Sequence, residues 1–252
     1  MTKRKIALVT GGSRGLGRDM AINIAKKGLD VVFTYHSNKG AADEVLDEIE
    51  KTGSSVHALQ LDTSDTKGFD QFYKELSSAL KSKFDSNHFD YLVNNAGTGL
   101  YGTVEETTED QFDDMLNIHF KGVYFLTQKA LPLLNDGGGI VNISSGLARF
   151  SFPGFSAYAS MKGAIEVYTR YLAKELGSRQ IKANVVAPGA VATDFAGGAN
   201  RDGERKSAIA NVTALGRVGE AEDIGSIVAF LCSHDAHWIT AQRIEASGGT
   251  LI

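Results

Sequence analysis

The feature that most constrains this chain is a regular alternation along its length. Short apolar or β-branched runs stand at Ile6–Thr10, Val31–Tyr35, Val56–Leu61, Tyr91–Asn94, Gly139–Ile143, Lys182–Ala187 and Arg243–Ala246. Between them, apolar residues at helical spacing predict helices over Asp19–Lys27, Ala41–Lys51, Lys67–Lys83, Glu109–Leu134, Phe155–Leu176 and Glu222–Ser233. Most of the short runs lack the alternating polarity of a half-exposed strand, so both of their faces should be buried. Strands of that kind separated by helices imply right-handed βαβ crossovers and a parallel sheet. The fold class read here is α/β: one doubly wound Rossmann-type domain over 1–252, with a seven-stranded parallel sheet flanked by helices. The one long irregular stretch, Ala190–Gly219, carries Gly197, Gly198, Gly203, Gly216 and Gly219 and reads as a substrate lid within that domain.

Composition narrows the function classes. With 26 Lys+Arg against 30 Asp+Glu, the net charge of −4 gives no footprint for nucleic acid or an anionic membrane. No apolar run approaches the roughly 18–20 residues that span a bilayer. Met1–Lys5 is basic, but only Ile6–Val9 follows before the polar turn, so a signal peptide is not expected. One Cys excludes an internal disulfide framework and a multi-cysteine metal site. His234, His237, Cys232 and Asp235 cluster in sequence, but they sit at a helix end, where His commonly caps carbonyls; no metal site is expected. A cytoplasmic protein acting on small molecules is the expectation.

The first glycine cluster, Thr10-Gly11-Gly12-Ser13-Arg14-Gly15-Leu16-Gly17, lies between the first strand and the first helix. A doubly wound sheet binds a dinucleotide pyrophosphate there, against the N–H groups of the helix. A Walker-type loop is ruled out, because Arg18-Asp19 follows Gly17 in place of Lys-Ser/Thr. The second strand closes on Tyr35-His36-Ser37-Asn38-Lys39, without the carboxylate that would bind the ribose hydroxyls of NAD. Arg14, His36 and Ser37 instead suit a 2′-phosphate, which points to NADP(H).

Tyr158 and Lys162 stand one helical turn apart on one face. A cation beside a phenol stabilises the phenolate and lowers its pKa, suiting it to proton transfer. The spacing alone is a weak signal, since Tyr35 and Lys39 share it. Its company is what matters: Ser144-Ser145 closes one strand, and Asn94-Asn95-Ala96-Gly97 closes another. With these motifs the chain resembles the short-chain dehydrogenase/reductase family over nearly its whole length. The resemblance rests on Thr10–Gly17, Asp62, Asn94–Gly97, Asn117, Ser145 thirteen residues before Tyr158, Lys162, and Pro188-Gly189-x-x-x-Thr193.

That resemblance implies roles. Tyr158 protonates the nascent alkoxide, Ser145 polarises the carbonyl, Lys162 holds the nicotinamide ribose and depresses the Tyr158 pKa, and Asn117 positions a water. Asp62 contacts adenine. Asn95, Ala96, Gly97, Pro188, Gly189 and Thr193 complete the cofactor site, with Gly97 and Gly189 guarding its approach. The resemblance also implies a homotetramer built on the two long helices, with the C-terminal segment contributing. Leu147, Phe150, Phe152, Pro153 and Phe155 precede or flank Tyr158, and Phe195 lies on the lid; they favour a hydrophobic or aryl ketone or keto ester, although core packing accounts for some rings equally well. Two other readings stand beside this one. A 3-oxoacyl-carrier-protein reductase would use Arg170, Lys174 and Arg179 to meet an acidic carrier, although Thr98-Gly99-Leu100-Tyr101 departs from that type. A non-catalytic NADP(H)-binding scaffold on the same fold would need no Ser145, Tyr158 and Lys162.

Overall fold

The computed structural model describes residues 3–198, 200, 201 and 203–252. Its centre is a seven-stranded sheet in the order β3-β2-β1-β4-β5-β6-β7, every pair parallel. The strands are β1 (Ile6–Val9), β2 (Asp30–Tyr35), β3 (Val56–Gln60), β4 (Phe89–Asn94), β5 (Leu134–Ile143), β6 (Lys182–Pro188) and β7 (Arg243–Ala246). The helices are α1 (Gly15–Lys26), α2 (Lys39–Glu50), α3 (Phe69–Phe84), α4 (Glu109–Leu116), α5 (Gly122–Ala130), α6 (Ser156–Glu175), α7 (Gly203–Asn211) and α8 (Glu222–Leu231).

The side-chain period of two sorts each strand between two cores. Ala7, Val9, Val31 and Phe33 face one layer with α1, α2 and α8. Ile6, Leu8 and Val32 face the other, against Phe72, Leu76, Leu126 and Leu172 of α3, α5 and α6. Burial on both sides is why the runs read as continuously apolar. Strand order reverses at β1 and β4, and the crevice beyond their carboxyl ends is where such sheets bind ligands.

Two expectations need correction. The single helix over Glu109–Leu134 is broken into α4, a π turn at Asn117–Lys121, and α5. It stops at Ala130, since Pro132 two residues on has no N–H to continue the helical ladder, and Leu134 opens β5. The stretch Ala190–Gly219 is not wholly irregular: it contains a 3₁₀ turn at Phe195–Gly198 and the helix α7, none of whose described residues is buried. Its ends are pinned together, with the Gly219 N–H donating to Ala190 and the Ala192 N–H to Gly219. Ala199 and Asp202 of this stretch, and Met1 and Thr2 of the basic start, lie outside the described residues.

Candidate active site

The glycine turn is held by side chains from neighbouring strands. Gly11 (φ +66°) and Gly15 (φ +53°) take left-handed conformations that other residues resist. The Gly11 N–H donates to Thr34 Oγ1 at 3.1 Å. Asn95 Nδ2 donates to the carbonyls of Thr10 (2.9 Å) and Gly11 (3.2 Å), and Thr10 Oγ1 accepts the N–H groups of Asn95 and Ala96 at 3.0 Å each. Asn95 therefore acts on the turn itself, while Asn94 donates to Thr127 and Asn142 in the core. A Cβ on Gly17 would lie 2.1 Å from the Gly11 carbonyl, so the helix starts as close to the turn as backbone allows.

The first turn of α1 has no acidic residue and no side-chain cap, which leaves its N–H groups free for an anion. Gly15 faces Thr193 across this opening, Ser13 and Leu16 flank it, and Leu16 packs against the core. Arg14, His36 and Ser37 are exposed at the ends of β1 and β2. His36 Nε2 stands 3.6 Å from Asp62 Oδ2. Burial pushes the Asp62 carboxyl up, but the hydroxyl and N–H of Ser64 bind it and hold it below its ordinary value. This set fits a dinucleotide with an extra phosphate: N–H groups for the pyrophosphate and an exposed guanidinium and imidazole at the ribose end.

Gly97 and Gly189 also allow close packing within the protein. A Cβ on Gly97 would lie 2.7 Å from His119 Cε1, and one on Gly189 would lie 2.8 Å from the Ser247 Cα. Pro188 ends β6 opposite Ala246, and the Gly189 N–H donates to the Ala246 carbonyl.

At the end of β5, Ser145 is extended, and its Oγ accepts the Leu147 N–H at 3.2 Å. Tyr158 and Lys162 of α6 are both buried beside it. Lys162 Nζ donates to the Ile143 carbonyl at 2.8 Å and lies 5.5 Å from the centre of the Tyr158 ring. Burial lowers the Lys162 pKa to about 8. Burial raises that of Tyr158, and the neighbouring Ser145 side chain offsets part of the rise. Loss of water around the phenol dominates: it disfavours phenolate more than the Ser145 hydrogen bond favours it. A buried, protonated phenol next to a hydroxyl is equipped to give a proton to an oxygen anion.

A polar network supports this strand end from behind. Ser144 Oγ donates to Glu166 Oε1 (2.7 Å), which also accepts Arg243 Nε (2.7 Å). Arg243 further donates to Glu245 (2.7 Å) and to the Ser145 carbonyl (3.3 Å), tying β7 to the strand that carries Ser145. The sequence reading missed Arg243 and Glu166, because residues so far apart in the chain give no local signal.

Asn117 does not reach Tyr158 in the contacts the structure describes. It opens the π turn, where its carbonyl accepts the Gly122 N–H, and its side chain makes no hydrogen bond among the described residues. The ring packed on Tyr158 is that of His119, centre to centre 5.0 Å and nearly perpendicular at 85°. The expected aromatic wall is divided. Phe195 lies 5.8 Å from the Tyr158 ring, whereas Leu147, Phe150, Phe152, Pro153 and Phe155 line an adjacent cleft of about 290 Å³. Tyr101 stands edge-on to Phe155 over Gly154, an arrangement the sequence reading did not foresee.

Among solved structures, the chain is similar to a short-chain dehydrogenase/reductase from Serratia marcescens, 33% identical, covering 100% of both chains with a TM-score of 0.91. A family model described as "Enoyl-(Acyl carrier protein) reductase" matches residues 11–250. The chain belongs to the short-chain dehydrogenase/reductase family. This short-chain dehydrogenase/reductase is also similar to the angucycline C-6 ketoreductase LanV, solved with bound NADP (38% identity, 98% and 95% of the two chains, TM-score 0.93). A curated relative, the hydroxynaphthalene reductase-like protein Arp2 of Metarhizium brunneum, is 37% identical over 98% of this chain and 95% of its own.

Proposed function

We propose that this short-chain dehydrogenase/reductase reduces a hydrophobic or aryl ketone to a secondary alcohol with NADPH. The observation that carries the reading is the buried Tyr158 phenol, held in its protonated form between Ser145 and Lys162. NADPH, when bound, supplies the hydride to the carbonyl carbon. Ser145 donates a hydrogen bond to the carbonyl oxygen, and Tyr158 gives that oxygen its proton as negative charge develops. Lys162 contributes fixed positive charge beside both groups and a donor for the nicotinamide ribose. Gly11, Ser13, Arg14, Gly15, Leu16 and Gly17 hold the pyrophosphate. Arg14, His36 and Ser37 take the 2′-phosphate, Asp62 the adenine, and Ala96, Gly97, Pro188, Gly189 and Thr193 line the remaining cofactor path.

The ring-lined cleft and Phe195 support an aromatic substrate, as do relatives named for hydroxynaphthalene and angucycline chemistry. The stretch Ala190–Gly219, pinned at its ends and carrying Phe195, acts as the lid. The carrier-protein reading loses one anchor, because Arg179 binds Asp136 and the carbonyls of Leu131 and Leu134. Exposed Tyr124, Phe125, Val167 and Tyr171 on α5 and α6, with Trp238 and Ile252 near the C-terminus, support assembly as a homotetramer. No described helix is long and apolar enough to cross a membrane, and the lone buried Cys232 supports a cytoplasmic location. The test is NADPH consumption over a panel of aryl ketones, aliphatic keto esters and sugars, for wild type beside Tyr158→Phe. Loss of turnover with retained NADPH binding is expected; undiminished turnover in Tyr158→Phe would overturn the mechanism.

A further inference from the structure

The end of β7 carries a carboxylate with no part in the reaction derived above. Only 15% of the Glu245 side chain is exposed, and it gathers three donors. Arg243 Nη1 donates to its Oε2 at 2.7 Å, Arg149 Nη1 to the same oxygen at 3.3 Å, and Ser247 Oγ to its Oε1 at 3.1 Å. Burial pushes this carboxyl up, and the donors, Arg243 before Ser247 and Arg149, bring it below its ordinary value. Glu245 is therefore an ionised acceptor with both oxygens committed. The Arg243 guanidinium is planar, so the directions of its N–H groups are fixed together. With Nε on Glu166 (2.7 Å) and Nη1 on Glu245, Nη2 is aimed at the Ser145 carbonyl, 3.3 Å away.

Ser247 continues this chain of contacts to the lid. Its Oγ, which donates to Glu245, also accepts the Thr250 N–H at 3.3 Å, and its carbonyl accepts the Thr250 hydroxyl at 2.8 Å. The turn closed in this way holds the exit of the lid by main-chain hydrogen bonds. The Leu215 N–H donates to Gly248 (3.0 Å), the Ala214 N–H to Gly249 (3.1 Å), and the Leu251 N–H to Val212 (2.9 Å). The hydroxyls of Thr213 and Thr250 meet 3.2 Å apart. None of the described residues of α7, just before this exit, is buried. Packing therefore does little to fix that part of the lid, and the C-terminal turn does more.

We propose that Glu245 is a positioning residue that sets Ser145 and the lid together: one oxygen locks Arg243 onto the Ser145 carbonyl, and the other, through Ser247, fixes the turn that carries the exit of the lid. This rests on the reading of Ser145 as the donor to the substrate carbonyl and of Ala190–Gly219 as the lid. The two branches have different readouts. The Arg243 branch acts on the residue that hydrogen-bonds the reacting oxygen, so it belongs to kcat. The Ser247 branch acts on the cover of the substrate, so it belongs to the KM for ketone.

The test follows NADPH consumption with an aryl ketone for wild type, Glu245→Met, Glu245→Gln and Ser247→Ala, each checked for fold by circular dichroism. Glu245→Met keeps the length and removes both acceptors; kcat should fall about 10-fold and the KM for ketone should rise about 3-fold. Glu245→Gln keeps one acceptor for Arg243 and should recover most of kcat. Ser247→Ala should raise the KM about 3-fold with kcat within about 2-fold of wild type. The decisive comparison repeats Glu245→Met in a Ser145→Ala background, read as single-turnover NADPH oxidation with enzyme in excess so that slow variants are measurable. If Glu245 acts through Ser145, its loss should matter by less than about 2-fold there, whereas a general loosening would cost as much in both backgrounds. Trypsin reads the lid branch without turnover: cleavage after Lys206 in α7 should quicken about 3- to 10-fold in Glu245→Met. An equal fall in both backgrounds overturns the proposal, as does wild-type cleavage in a folded Glu245→Met. If the Met variant does not fold, Arg243→Lys, which keeps the charge and loses the planar fork, replaces it in the double-variant comparison, and Ser247→Ala in the proteolysis. Full turnover in Tyr158→Phe, or no ketone reduced by wild type, would instead sink the proposed function, so the two failures are distinguishable.

Discussion

Lys162 offers a measurement of active-site burial that needs no substrate. Its pKa falls from 10.5 to about 8 because the ammonium is taken out of water. Across that interval the unfolded chain binds more protons than the folded one, so stability rises with pH. Below about pH 8 both states carry the charge and its burial cost is constant; above 10.5 neither carries it and the cost is gone. The interval from 8 to 10.5 is worth about 3 kcal/mol, at about 1.4 kcal/mol per pH unit. Lys162→Met removes the titration and keeps a side chain of similar length. Urea denaturation of both proteins at fixed concentration, stepped from about pH 7 to about pH 10.5, isolates the effect as wild type minus variant, since other groups titrate in both. The difference should be flat up to about pH 8 and then climb in favour of wild type by about 3 kcal/mol. A flat or falling difference would mean that Lys162 is not a buried charge, and the electrostatics assigned to the site would fail with it.

Other substitutions probe other parts. Gly17→Ala sets a methyl 2.1 Å from the Gly11 carbonyl and 2.4 Å from Asn95 Nδ2; it should cost about 3 kcal/mol in urea denaturation and weaken NADPH binding in a fluorescence titration. Gly97→Ala presses on His119 and should lower kcat more than it raises the KM for ketone. Arg14→Ala with His36→Ala should cut the preference of kcat/KM for NADPH over NADH about 10- to 100-fold, the worth of a charge-assisted contact. Arg243→Met leaves Glu166 and the Ser145 carbonyl without their shared donor, and should cost about 2 kcal/mol of stability together with a fall in kcat.

Much of this was legible in the sequence, for a physical reason. Strands buried on both faces must be apolar throughout, so Ile6–Val9 and the Lys182–Pro188 region announced themselves. Ser145, Tyr158 and Lys162 were legible because the carboxyl edge of a parallel sheet collects the strand ends and helix starts that carry them. What stayed hidden depends on distance or on broken regularity. Helical spacing assumes a constant twist, and the π turn violates it, so Asn117 was chosen where the structure brings His119 to Tyr158. A lone mid-helix histidine reads as ordinary; the signal available was Gly97 at the end of a strand, whose missing side chain makes room for the ring. Spacing reveals the cation near Tyr158 but not the loss of water around the phenol, which raises its pKa.

The π turn can also be described as a change of phase. A regular helix advances about 100° per residue, and a turn closed by the Gly122 N–H on the Asn117 carbonyl holds one residue more than the α-helical repeat. Everything beyond it is rotated by that amount relative to α4. The extra residue that brings His119 inward therefore also selects which side chains of α5 look outward, Tyr124 and Phe125 among them. Deleting one residue here would leave the composition almost untouched and turn both faces at once. In this chain the interior of the site and the outer surface of its helix are set by a single step in the backbone.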